Sequence, residues 1–256
     1  MKRNKLTFLG TGTSQGIPVP TSKHPVSLSK DSKDKRLRTS ALLQTDELNI
    51  VIDCGPDFRY QCLRCGLEHL DAVFVTHEHS DHIAGIDDIR PYYFKRGSDI
   101  PFYAQRKVLD AIKVRFPYVF AENKYPGAPG IEDISVDNEK FEVEGHLFTP
   151  IKVMHGSLEI LGYRYKNMAY ITDASFISDN ELEKLKNLDV LILNALRHEE
   201  HHSHYNLRQA LEVSKKIGAK QTYFTHISQY MGFHEEESKK LPDNHYFAYD
   251  GLEIYF

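Results

Sequence analysis

The stretch Val75-Thr-His-Glu-His-Ser-Asp-His-Ile-Ala-Gly-Ile86 places three histidines and two acids within six residues, between apolar flanks. Such a cluster is either a solvated loop or a place where a divalent ion gathers side chains. Imidazole nitrogens and carboxylate oxygens are metal donors that must converge to within about 2.0–2.2 Å of an ion. His77 and His79 are two apart at the end of the apolar run Ala72-Val-Phe-Val-Thr76, so an extended backbone points both to one side. Asp81 and His82 come after the chain has turned and face a neighbouring position. The interval His-x-His-x-Asp-His therefore suits two adjacent ions, with Glu78 and Ser80 as spacers.

Three more donors follow the same rule. His155 comes after Ile151-Lys-Val-Met154, Asp173 after Met168-Ala-Tyr-Ile-Thr172, and His226 after Thr222-Tyr-Phe-Thr225. Each closes a predicted strand at its C-terminal end, where sheet proteins place their sites. With His77, His79, Asp81 and His82 they complete a dinuclear set. Histidine and aspartate donors suit zinc, manganese or iron. Two divalent ions, zinc or manganese, are the expected cofactors.

Short apolar runs elsewhere read as strands, at 6–9, 40–44, 49–53, 161–165, 190–193 and 252–256. Helical periodicity appears near 57–65, 105–116, 179–187, 206–217 and 234–240. Two groups of strands interleaved with helices predict an α/β fold, an αββα sandwich of two mixed sheets flanked by helices. No low-complexity linker divides the chain, so residues 1–256 are expected to form a single domain. Residues 22–38, with the basic run Lys33-Asp-Lys-Arg-Leu-Arg38, and residues 118–131, with Pro126-Gly-Ala-Pro-Gly130, read as surface loops.

Hydrophobic residues make up 41% and charged residues 27% of the chain, the ordinary balance of a globular protein. A net charge of −4 gives no broad field for nucleic acid or an anionic membrane, and no run reaches membrane-span length. Met1-Lys-Arg-Asn-Lys5 is basic, but the apolar run behind it is too short for a signal peptide. A cytoplasmic location is expected. Only Cys54, Cys62 and Cys65 occur, which argues against a disulfide framework. Cys62-Leu-Arg-Cys65 lies in a helical pattern and is read as small apolar packing rather than as a redox or zinc pair.

The order His-x-His-x-Asp-His, then His, Asp and His, resembles the metallo-β-lactamase superfamily of metallo-hydrolases. The resemblance implies that His77, His79 and His155 hold one ion, that Asp81, His82 and His226 hold the other, and that Asp173 bridges them. It also implies that Asp53, in Ile52-Asp-Cys-Gly55, orients ligands from behind. Gly10-Thr-Gly-Thr-Ser-Gln-Gly16, Asp53-Cys-Gly-Pro-Asp-Phe-Arg59, Gly85-Ile-Asp-Asp-Ile-Arg-Pro91, Leu193-Asn-Ala-Leu-Arg197 and Ala248-Tyr-Asp-Gly-Leu-Glu-Ile254 are similar to its cyclic-phosphodiesterase branch. That branch is known from phosphonate breakdown and is akin to the transfer-RNA 3′-processing endonucleases.

The implied function is metal-dependent hydrolysis of small, cyclic phosphodiesters by a hydroxide shared between the ions, with Asp81 and His204 as catalytic residues. His204, in His201-His-Ser-His-Tyr-Asn206, matches the branch's Ser/Thr-His element and would contact the phosphate and help protonate the leaving oxygen. His198, His201 and His202 read as solvated. The implied partner is a small-molecule phosphodiester; no membrane and no nucleic acid are expected, and a homodimer stays open. A thioesterase or lactonase of the same superfamily, or a non-enzymatic metal-binding protein, are the alternatives.

The chain departs from the branch in one place. The branch carries a structural zinc held by three early cysteines and a late histidine, and those positions fall at Ser22, His24, Ser27 and Gln229. Serine and glutamine do not supply thiolate and imidazole donors. That zinc is therefore not expected, His24 reads as an exposed loop residue, and the arm needs other contacts to order it.

Overall fold

A computed structural model describes residues 4–256; the basic start Met1–Arg3 lies outside the described residues. Fourteen strands form two sheets of seven. The first sheet contains β1 (Lys5–Gly10), β2 (Ser40–Gln44), β3 (Asn49–Ile52), β4 (Ala72–Phe74), β5 (Ile100–Ala104) and β6 (Ile131–Ser135). The second contains β7 (Phe141–Val143), β8 (His146–His155), β9 (Leu158–Tyr165), β10 (Met168–Ile171), β11 (Val190–Asn194), β12 (Gln221–Thr225) and β13 (His245–Phe247). The last strand, β14 (Glu253–Tyr255), returns to the first sheet and pairs with β1. Each sheet is antiparallel in one half and parallel in the other: β3 to β6 run parallel in the first, β10 to β13 in the second.

Helices α1 (Pro25–Leu28), α2 (Phe58–Cys65), α3 (Ser80–Ile83), α4 (Arg90–Arg96) and α5 (Arg106–Arg115) belong to the first half. Helices α6 (Asp179–Glu183), α7 (Leu207–Ile217) and α8 (His234–Ser238) belong to the second. Strand alternation sorts the core into three layers. Ile50, Ile52, Phe74, Tyr163, Tyr170 and Ile192 pack between the sheets, with the Phe74 ring 4.9 Å from those of Phe148 and Tyr163. Val51 and Val73, one residue out of step, pack instead against Phe58 of α2 and Leu109 and Ile112 of α5. Leu191 and Leu193 likewise pack against Ala210 and Ile217 of α7. The result is the expected αββα sandwich.

α7 shows why the boundaries fall where they do. Asn206 Oδ1 accepts the Gln209 N–H at 2.9 Å and Gln209 Oε1 accepts the Asn206 N–H at 3.0 Å, closing a capping box. Gly218, left-handed at φ 70°, ends the helix. Among the described residues no helix is long and apolar enough to cross a membrane.

Two expectations about loops need correction. The run 33–38 is not a solvated loop: Asp34 and Arg36 are buried. Arg36 Nη1 donates to Thr11 Oγ1 at 2.7 Å and to the Ala248 carbonyl at 2.6 Å, so the apparent basic patch is a structural anchor. Residues 118–131 do run as an irregular segment, but Val119 and Ala128 are buried, and Tyr118 Oη donates to the Asp87 carboxylate.

Candidate metal centre

The donors sit where strands of both sheets end. β4 runs into Val75–His77, β8 ends on His155, β10 runs into Asp173 and β12 into His226. Asp53, Asp173 and His226 lie just past β3, β10 and β12 with φ of 63°, 58° and 57°. Side chains rarely hold this left-handed region except in turns or at functional sites. Gly55 lets the Asp53 turn approach the next motif: a Cβ there would stand 2.0 Å from the Asp81 carbonyl oxygen. The sheets are tied directly behind the cluster, where Tyr163 Oη donates to the Val75 carbonyl at 2.7 Å and Leu161 N–H to the Thr76 carbonyl at 3.2 Å.

Two triads of donors emerge. One ligand atom each from His77, His79 and His155 lie within 4.8 Å of one another, and so do atoms of Asp81, His82 and His226. Asp173 forms further groups of this size with His77 and His82 and with His155 and His204, which places it between the triads. Its Oδ1 is 3.0 Å from His226 Nε2, and its Oδ2 is 3.5 Å from His82 Nε2. Asp81 Oδ2 is 3.3 Å from His82 Nε2 and 3.9 Å from His226 Nε2.

Neighbours set the ring orientations. The buried Asp53 carboxylate accepts from His82 Nδ1 at 2.7 Å, the Thr76 N–H at 2.8 Å and Thr76 Oγ1 at 2.9 Å. His155 Nδ1 donates to the Ser203 carbonyl at 2.8 Å, which leaves Nε2 as the free lone pair. His82 Nε2 and both ring nitrogens of His226 are buried without a well-aligned hydrogen bond, the two Nε2 atoms facing carboxylate oxygens at 3.3 and 3.0 Å. Buried nitrogens left in this state are rare unless something binds them, so the residues present fit a pair of cations.

The electrostatics point the same way. Burial, and then the neighbouring His82, hold His77 well below its usual pKa and keep it in the neutral form a ligand needs. Burial alone would also lower His82 and His226. The carboxylates of Asp173, Asp53 and Asp81 overcome it at His82, and those of Asp173 and Asp81 push His226 up to about 9. Against its own burial, Asp173 is held well below the carboxylate range by His226 and His82. In each case the imidazoles offset carboxylate charge that cations would offset more strongly.

All seven proposed ligands and Asp53 therefore come together. His204 is closer in than its sequence suggested: Nε2 lies 3.1 Å from Asp173 Oδ1, and Nδ1 lies 3.1 Å from Ser203 Oγ and from His201 Nδ1. His201 is thus half-buried against His204 rather than solvated, whereas His202 is exposed. His198 sits at the surface, 3.0 Å from Glu237. The sequence reading passed over Thr76, which bridges Asp53 and His77, and the Ser203 carbonyl. It also missed that Asn194, buried at the end of β11, clamps the Asp173 turn through both the N–H and the carbonyl of Ala174. A buried asparagine ending an apolar strand was the available signal.

The arm is closed by hydrogen bonds. Ser22 Oγ and Ser27 Oγ both donate to Gln229 Oε1, at 2.8 and 2.7 Å. His24 is not a free loop residue: its Nδ1 caps α1 by accepting the Val26 N–H at 3.3 Å, and its ring lies edge-on to Tyr230. Cys62 and Cys65 lie on α2 as free thiols, and burial pushes Cys62 up to about 12.

The family described as the β-lactamase superfamily domain matches residues 48–227. A crystal structure described as a new diphosphatase from the PhnP family superposes with a TM-score of 0.94 at 42% identity, covering 100% of this chain and 98% of that one. An octanoyltransferase of Porphyromonas gingivalis is 42% identical over 96% of this chain, which spans only 50% of that protein's length. A ribonuclease Z of Bacillus velezensis is 24% identical, with 98% of each chain covered.

Proposed function

The chain belongs to the β-lactamase superfamily, and we propose that it hydrolyses small phosphodiesters, cyclic ones among them, with two divalent ions. In this reading His77, His79, Asp81, His82, His155, Asp173 and His226 would hold the ions, with His77, His79 and His155 on one side of Asp173 and Asp81, His82 and His226 on the other. The observation that carries it is the convergence of two buried donor triads on either side of Asp173, with the Nε2 atoms of His82 and His226 facing carboxylates without well-aligned hydrogen bonds. Two similar proteins bear the names diphosphatase and ribonuclease Z, which supports a phosphate bond as the target. The octanoyltransferase name describes a protein matched over half its length. We take residues 1–256 as one catalytic domain, because the donors are divided between its two sheets.

When bound, such ions supply Lewis acidity toward a phosphoryl oxygen and lower the pKa of a water. The chain's own residues do the rest. Asp53 fixes the His82 ring, and the Ser203 carbonyl fixes the tautomer of His155. Asp81, whose side chain keeps some exposure, accepts a hydrogen bond from the attacking water and so orients it. His204 donates from Nε2 to the departing oxygen, while Ser203 and His201 hold its far side. Burial, against the pull of Asp173, lowers His204 to about 4, so it acts as a neutral hydrogen-bond donor.

Turnover of bis(p-nitrophenyl) phosphate and 2′,3′-cyclic nucleotides by Asp173→Ala and His79→Ala tests the reading. Both variants are expected to lose about 10³-fold in rate; normal turnover in either would sink it. A thioester or lactone cleaved faster than any phosphodiester by the unmodified chain would move the assignment to carbonyl hydrolysis.

A further inference from the structure

Thr76 stands where β4 runs into the first histidine motif, and it is fully buried. A β-branched residue at the end of an apolar strand is ordinarily packing, a role that valine fills as well. The hydroxyl is what valine lacks, and a buried hydroxyl costs stability unless it is bonded. Threonine precedes a donor three times in the chain, as Thr76-His77, Thr172-Asp173 and Thr225-His226. The three hydroxyls are not equivalent. Thr225 Oγ1 is buried without a partner, and Thr172 Oγ1 donates to Oδ2 of Asp173 beside it. Thr76 Oγ1, alone of the three, lies between two groups, 2.9 Å from Asp53 Oδ2 and 2.9 Å from His77 Nδ1.

The protons available decide the direction of these bonds. A hydroxyl carries one proton and gives it once. The Asp53 carboxylate has only acceptors to offer, and it already takes the Thr76 N–H on Oδ1 and His82 Nδ1 on Oδ2. The hydroxyl proton therefore goes to Asp53, and a lone pair of the same oxygen is left for His77. His77 then carries its proton on Nδ1 and keeps Nε2 as the lone pair, 2.9 Å from His79 Nδ1. One histidine of each triad thus answers to a single carboxylate: His82 directly, His77 through one hydroxyl. His155 is fixed separately by the Ser203 carbonyl.

We propose that Thr76 is a positioning residue whose hydroxyl carries the orientation set by Asp53 to His77, so that it governs ion affinity at the His77, His79 and His155 triad and not at the other. The inference rests on the proposed metal centre. Without the hydroxyl, His77 Nδ1–H is buried unbonded, and the tautomer with its proton on Nε2, where the lone pair is needed, gains ground. Partners of this kind are worth about 10–100-fold in metal affinity.

Competition for zinc between the metal-free chain and a chromophoric chelator tests this. The unmodified chain is expected to bind two ions. Thr76→Val should weaken one of them about tenfold or more and spare the other, while Asp53→Asn should weaken both. Thr76→Ser should bind as the unmodified chain does, a rescue that a packing defect would not show. A second measurement needs no variant to fold: proton–nitrogen NMR spectra of the metal-free chain should place the His77 proton on Nδ1. A proton on Nε2 would overturn the proposal. So would Thr76→Val with both ions held as before or both weakened alike, or serine no better than valine. Two ions on the unmodified chain keep the metal reading intact whichever way Thr76 falls. Fewer than two would sink that reading and this inference about affinity with it, whereas an altered tautomer alone would sink only the role of Thr76.

Discussion

The metal centre and the arm clasp occupy the two places where the resemblance led us to look for metal, and they are built on opposite terms. Around Asp173, imidazoles and carboxylates crowd together and leave buried nitrogens without well-aligned hydrogen bonds. Around Gln229, two hydroxyls close on one amide oxygen with no charge involved. A donor set left open marks a place that binds something, and one that satisfies itself marks structure. In this chain the first donor set stays open and the second is closed by its own hydrogen bonds.

Chelation should separate the two most sharply. Stripping ions is expected to lower the melting temperature by about 10 °C, restored by zinc or manganese, because bound ions stabilise only the folded chain. An unmoved melting temperature would mean that the open cluster is not a metal centre. Next in size, Gln229→Leu should cost about 2–3 kcal/mol in urea denaturation, since the hydroxyls of Ser22 and Ser27 lose their acceptor. Elemental analysis should still find two ions per chain in that variant; a lost ion would tie the clasp to metal after all.

A smaller effect concerns His234, beside the arm. Its Nδ1 accepts from Arg36 Nη2 at 3.1 Å, and burial together with that guanidinium lowers it from 6.5 to about 4. The unfolded chain therefore takes up a proton between those values that the folded chain refuses. This contribution to stability is complete above pH 6.5 and fades as pH falls toward 4. The stability advantage over His234→Asn should shrink between pH 7 and pH 5, as read by urea midpoints; a constant difference would remove His234 from the account. Smallest of all, Cys65→Ser should leave metal content and turnover unchanged, because the cysteines on α2 pack rather than ligate.

The donors were legible because their spacing survives in one dimension: a dense first motif, then single residues closing apolar runs. What escaped was local sequence at odds with its tertiary role. β5, interrupted by Pro101, is absent from the predicted strands, yet all five of its residues are buried between parallel neighbours. β6 carries Glu132 and Asp133 on an edge, and β7 and β13 are three residues long, too short for periodicity to register. Arg36 looked like part of a solvated basic run because no local pattern reveals that Thr11 and Ala248 will surround its guanidinium. Likewise nothing near Ser22 announces Gln229, about two hundred residues on.

The division of donors between the sheets also bears on the order of events as the chain folds. His77 through His82 belong to the first sheet, and His155, Asp173 and His226 to the second. A growing chain carries the early motif long before His226 is made, and contacts of such separation form late. Until the Tyr163 hydroxyl reaches the Val75 carbonyl, the early histidines have only partners from their own half, Asp53 and Thr76. In the proposed reading, metal capture would then be a late inspection step, closing only on molecules whose halves have docked in register.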